Sequence, residues 1–295
     1  MAIRLASKLE TNPEISLRRQ ALRILVEAHL ACANDVSRGN WQRKSVVVPK
    51  WLATARELAT RYVQETQGSH LIDLQIHAAT LAAAAELVGH LDPANTVQQM
   101  SYRSQLIIRQ ADDPLYKQQI QWQLASALFS AARASRSRGN LPQAREWGER
   151  AVVLLELGGK NRDLTPDRKY LQAKARFLVG TLFAIPENNH VLAVGWYEQA
   201  LRDFPDLLPD SAAHELGLQG ERFVSMGISF WATGHAERAV QLTERGTEWM
   251  ERAVQSGLLA PRALAVAYGN LAAMYRELGD PDKAATFTSK ADQIR

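Results

Sequence analysis

Near the C-terminus, Tyr268, Leu271, Ala272 and Tyr275 recur at the interval that lines apolar side chains along one face of an α-helix. Gly279-Asp280-Pro281 interrupts that pattern, and Ala284, Ala285 and Ile294 open a second helix beyond it. Large residues on the first helix and small ones on the second let two backbones pack closely as an αα-hairpin. The same alternation extends back along the chain. Helix starts are marked at Asn12-Pro13-Glu14, Ser69-His70, Asp113-Pro114, Thr165-Pro166-Asp167, Pro209-Asp210-Ser211 and Ala260-Pro261. A Ser, Thr, Asn or Asp oxygen accepts a hydrogen bond from the free N–H groups of a first turn, and proline there wastes no donor. Each helix so begun is broken by a turn, at Gly39-Asn40, Asp92-Pro93, Gly139-Asn140, Asn188-Asn189, Gly234-His235 and Gly279-Asp280. Gly and Asn tolerate the left-handed conformation that ends a helix.

These turns fall 45 to 53 residues apart, an internal repeat through nearly the whole chain. After each of the last four turns a small residue arrives (Ala144, Ala193, Ala239, Ala284), and another follows seven positions later (Ala151, Ala200, Gly246, Ala291). Before three of them lie Leu128, Ala131 and Ala132; Phe177, Gly180 and Phe183; and Phe223, Met226, Gly227 and Phe230. Residues 112–295 thus resemble four tetratricopeptide repeats, and Arg202-Asp203-Phe204-Pro205 supplies that family's closing proline as well. The period exceeds the ~34 residues usual in the family, which calls for longer helices or linkers. Residues 13–111 keep the outline of two hairpins without the signature positions. Within them, Trp41–Lys50 (WQRKSVVVPK) reads as an extended loop, because three β-branched valines precede Pro49. Residues 1–12 read as the closing helix of a preceding hairpin, as though the chain began inside a repeat array.

The resemblance implies an all-α, right-handed superhelical solenoid of about six antiparallel helix pairs. It further implies a non-catalytic adaptor whose concave face, lined by the first helix of each hairpin, holds another protein or a peptide. Carrying the family's groove positions over gives Ser126, Phe129, Ser130 and Arg133 from the third unit, and Lys174 and Phe177 from the fourth; Arg136, three residues after Arg133 on the same helix, projects to the same side and joins them. The fifth gives Glu221, Val224, Ser225, Ile228 and Trp231, and the sixth Asn270 and Arg276. Of the Lys/Asn clamp with which some members grip a C-terminal carboxylate, only Asn270 fits. Trp122, Trp147 and Trp196 sit at helical spacing among apolar residues and read as core.

Charge adds a partner class. Residues 121–180 hold eleven Lys and Arg against five acids, whereas the whole chain is only +4. If Arg133, Arg136 and Lys174 converge exposed on the groove, they favour an acidic segment. No aromatic stacking platform accompanies the charge, which argues against nucleic acid.

Other chemistries find little support. Gly158-Gly159-Lys160 lacks the upstream Gly and following Ser or Thr of a phosphate loop, and no cofactor motif is present. His70, Asp73 and His77 share a helix face but make three groups where a structural zinc takes four, so no metal is expected. The lone Cys32 cannot form an internal disulfide, the opening residues lack a secretory apolar core, and a cytoplasmic location follows by default. Two alternatives to an adaptor stay open: a ligand-sensing regulatory segment of a larger signalling protein, and a metal-dependent or hydrolytic enzyme.

Overall fold

A computed structural model describes residues 2–66, 70–87, 91–159 and 164–294. Among them are thirteen α-helices and no strand. After α1 (Ala2–Ala6) come α2 (Ile15–Arg38) and α3 (Lys44–Thr66), then α4 (His70–Glu86) and α5 (Pro93–Gln110), then α6 (Pro114–Ser137) and α7 (Leu141–Gly159). There follow α8 (Pro166–Ala184) and α9 (His190–Asp203), α10 (Leu216–Ala232) and α11 (Ala236–Gln255), and α12 (Leu264–Glu277) and α13 (Pro281–Asp292). The two members of every pair pack on each other. Short 3-10 segments, Asp210–Glu215 and Pro261–Ala263, lead into α10 and α12.

Local chemistry explains the boundaries. Asp113 and Thr165 cap α6 and α8 by accepting from Leu115 N (2.9 Å) and Arg168 N (3.4 Å), each with proline at the first helical position. The turns after α6, α10 and α12 place Gly139, Gly234 and Gly279 at φ near +80°, and Asn188 takes the same role after α8 at φ 48°. Gly39 is different: its φ is −76°, and the Trp41 indole lies where a side chain would be. The expected start at Ser69 lies outside the described residues.

Residues 44–50 correct the sequence expectation of a loop. They form the first turns of α3, with Pro49 inside the helix. A proline this far in forfeits one backbone hydrogen bond, a cost of about 3 kcal/mol. Burial of Val48 and Leu52 against Ala33, Ala83 and Leu87 returns roughly 1.5–3 kcal/mol for each of the two side chains, and packing wins.

The chain forms two compact units, Met1–Arg162 and Asp163–Arg295. In the first, α4 packs on α2, α3, α5 and α6, and Leu22, Leu25, Ile72 and Ile76 share a core. In the second, α9 and α10 make contact, as do α11 and α12. Its core is aromatic: Phe204 lies 6.2 Å from Tyr170 and 5.7 Å from Phe223, ring centre to ring centre. Phe177 stacks on Tyr197 at 5.5 Å.

The tightest joint in this unit is α10 on α11. A Cβ at Gly220 would stand 2.5 Å from the Gly246 carbonyl oxygen and 2.5 Å from Met250 Cγ, and one at Gly246 would stand 2.6 Å from the Gly220 oxygen. Backbone therefore meets backbone. Gly227 repeats the approach one turn pair further on, against Thr243 and the Ala239 carbonyl. Contacts that run 220 with 246 and 227 with 239 define an antiparallel pair.

Gly220→Ala is expected to destabilise the second unit by about 2 kcal/mol, because two rigid backbones must separate. Gly195→Ala, on the exposed face of α9 with nothing within 4 Å of the new methyl, should instead stabilise by up to ~1 kcal/mol through helix propensity. Urea denaturation of the two variants checks the opposite signs.

Candidate functional site

The first helices of the hairpins leave some side chains accessible to solvent. On α6, Gln123, Ser126, Ser130 and Arg133 form a half-buried polar stripe that ends at exposed Ser137. Phe129 is off this stripe and 8% exposed, within the interior. On α10 the outward positions are Leu218, Glu221, Ser225, Ile228 and Ala232, at helical spacing. Val224 is again one position off, 6% exposed and packed against Met250, Leu264 and Tyr268. Phe129 and Val224 are therefore core residues, a correction to the groove expected from sequence. Helices sandwiched between neighbours are apolar nearly all round, and a one-residue step turns a side chain by 100°.

On α12, exposed Val266 and Ala273 flank half-buried Gly269 and Asn270, and Arg276 is exposed at the helix end. Val266, Asn270 and Ala273 lie 45 residues after Glu221, Ser225 and Ile228, one repeat on. Asn270 Nδ2 has no hydrogen-bond partner among the described residues. Trp231 is half-buried against the aromatic core, as are Phe177 and Phe183. Trp122 and Trp147 are buried, as expected, and Trp196 is half-buried.

The cations proposed for an acidic ligand are committed elsewhere. Arg133 donates to Glu86 at 2.9 Å. Lys174 is only 15% exposed and donates to Glu215 at 2.8 Å. Arg136 is exposed. Lys160 and Arg162 of the basic stretch lie outside the described residues, as does the side chain of His70. His77 is buried, with Nδ1 donating to the Asp73 carbonyl at 2.6 Å and Nε2 3.0 Å from Gln99 Oε1; Asp73 itself pairs with Arg103.

Sequence reasoning missed a connected polar cluster that ties α8 to α10 and the segment before it. Glu215 accepts from Lys174 and from Arg222, both at 2.8 Å. Arg222 also donates to the Tyr170 hydroxyl (2.6 Å) and to Gln219 Oε1 (2.9 Å). Lys174 Nζ stands 4.4 Å from the Tyr170 ring centre, within cation–π range. Burial alone would raise the Glu215 carboxyl, but Lys174 and Arg222 more than offset it and hold the group at about 2. Burial pushes the Tyr170 phenol up, and the neighbouring Arg222 only partly opposes this. A signal for the cluster does exist in the sequence: the bridging partners lie about one repeat apart, Lys174 with Glu215 and Tyr170 with Arg222.

Glu221, next to Arg222 but on another side of α10, is exposed and takes part in no hydrogen bond or ion pair among the described residues. Burial nearby raises its pKa, with Arg222 acting the other way.

No family model and no curated protein matches the chain. Among solved structures, the crystal structure of BtubC (BKLC) from P. vanneervenii is similar, with a TM-score of 0.51 over 92% of this chain and 91% of that one. At 18% identity the likeness is one of fold.

Glu215 titrates near 2 when folded against an ordinary value near 4.5. Its contribution is therefore complete above pH 4.5 and lost as the pH falls toward 2, on the order of 3 kcal/mol in all. Glu215→Gln should lower stability at pH 7 by a similar amount, and urea melts at stepped pH should show a flatter slope for the variant between pH 4.5 and 2.

Proposed function

We propose that this chain is a non-catalytic binding scaffold of the cytoplasm. Its hairpins are read as tetratricopeptide-like repeats in a right-handed superhelix, and the first helix of each presents the face that receives another protein or a peptide. The observation that carries this reading is the contrast between helices of one hairpin in the second unit. Of the five outward positions of α10 only Glu221 is charged, and Leu218 and Ile228 are 51% and 43% exposed. The outward positions of α11 include Glu237, Arg238, Glu248 and Arg252, a solvated charged surface. Val266 on α12, 66% exposed, extends the apolar character into the next hairpin.

Exposed apolar side chains arranged in a stripe, on the helix whose neighbours are otherwise charged, are what a partner's apolar residues require. The polar stripe of α6, with Ser126, Ser130 and Arg133, suits hydrogen bonding to the same kind of ligand in the first unit. Nothing in this role needs a metal or cofactor.

A photo-crosslinking residue placed at position 228 should capture a bound partner in cells, while the same residue at Gln241 on α11 should not. Ile228→Asp should weaken the captured partner by tenfold or more, the loss of about 2 kcal/mol typical of an interface anchor. Its thermal stability should stay within about 0.5 kcal/mol, because the side chain is exposed. Equal crosslinking from both positions would sink the assignment of the face.

A further inference from the structure

The available charge on this face is the opposite of what the basic stretch suggests. Lys174 and Arg222 are both spent on Glu215, and Arg176 on Asp203. Glu221 has no ion-pair partner among the described residues and stands in the middle of the α10 stripe, three residues after Leu218 and seven before Ile228. The exposed cation at the far end of the α12 stripe, Arg276, is the repeat equivalent of Trp231. That is ten residues from Glu221, about 15 Å along a helix axis, and beyond the ~8 Å over which exposed charges act at physiological salt. Arg276 also has exposed Glu277 beside it.

We propose that the α10/α12 face takes a basic segment with apolar flanks, in which a Lys or Arg meets Glu221 while apolar side chains cover Leu218, Ile228 and Val266. The inference rests on reading this face as the partner surface. Charge complementarity selects the occupant. A carboxylate that apolar neighbours have partly stripped of water, and that Arg222 only partly compensates, gains more from an incoming cation than an open surface acid would. The raised proton affinity of Glu221 has the same origin. An acidic segment would place a second negative charge against it and meet no free cation in return on α10.

Selection of a phage-displayed random-peptide library on the immobilised full chain tests this. Peptides recovered from the wild type should be net basic with apolar residues on either side of a Lys or Arg. They should bind Ile228→Asp and Glu221→Gln each roughly tenfold more weakly, with the melting temperature of Glu221→Gln no lower than that of the wild type. Peptides that depend on Ile228 but are acidic, or that ignore Glu221→Gln, overturn the basic-segment inference and leave the partner face standing. Peptides indifferent to Ile228→Asp, or a dimer of the chain that Ile228→Asp dissolves, overturn the reading of the face and the inference together.

Discussion

The contact that the second unit depends on is backbone against backbone, where Gly220 of α10 meets Gly246 of α11. No side chain separates the two helices there, so α10 cannot roll about its own axis without driving a Cβ into a carbonyl. That fixes everything else on the helix. Phe223, Met226 and Phe230 turn into the aromatic core, Val224 turns toward α12, and Leu218, Glu221, Ser225 and Ile228 are left outside. The outward stripe is thus a consequence of a packing constraint on the opposite side of the helix.

Charge follows a second constraint. Burying an ion is costly unless a partner is held at hydrogen-bond distance, and the fold meets this by pairing within a hairpin or between neighbouring ones. Arg18 bonds Glu65, Arg133 bonds Glu86, and Lys174 bonds Glu215, all between residues roughly one repeat apart. Tyr268 and Tyr275 do the same work between α12 and α11 through Glu251 and Glu244. A sum of charges over a stretch of sequence therefore overstates what is free to bind a ligand, because it does not see which cations the neighbouring repeat has already engaged.

The helices and their breaks were legible because they are written in local chemistry. A capping Asp or Thr, a proline at the first helical position, and a Gly or Asn with positive φ each act within a few residues. Where a local rule was outvoted from a distance, the reading failed: the valines and Pro49 argue for extended chain, but the partners of Val48 are Ala83 and Leu87, far along the sequence. The exposure of the expected groove positions was legible only in part, and Lys174 is held inside by Glu215. Ser126, Ser130, Glu221, Ser225 and Ile228 face outward, whereas Phe129 and Val224, one step round the same helices, are core. Periodicity alone cannot separate these on helices whose apolar residues occupy most of the circumference. The Tyr170–Glu215–Arg222 cluster was hidden for a different reason, since its members sit on separate elements and only the repeat length links them.

The interior network and the outer face meet at two consecutive residues. Adjacent positions on a helix point about 100° apart, so Arg222 reaches inward to Glu215, Tyr170 and Gln219 while Glu221 is presented outward. Left to itself, a guanidinium this near would turn toward the unpaired carboxylate. Its three inward hydrogen bonds, two of them to groups held by the core, make that rearrangement unfavourable. The internal acid Glu215 thus draws Arg222 away from an ion pair with the external acid Glu221. The electrostatic character of the surface is set in part by a residue that lies largely beneath it.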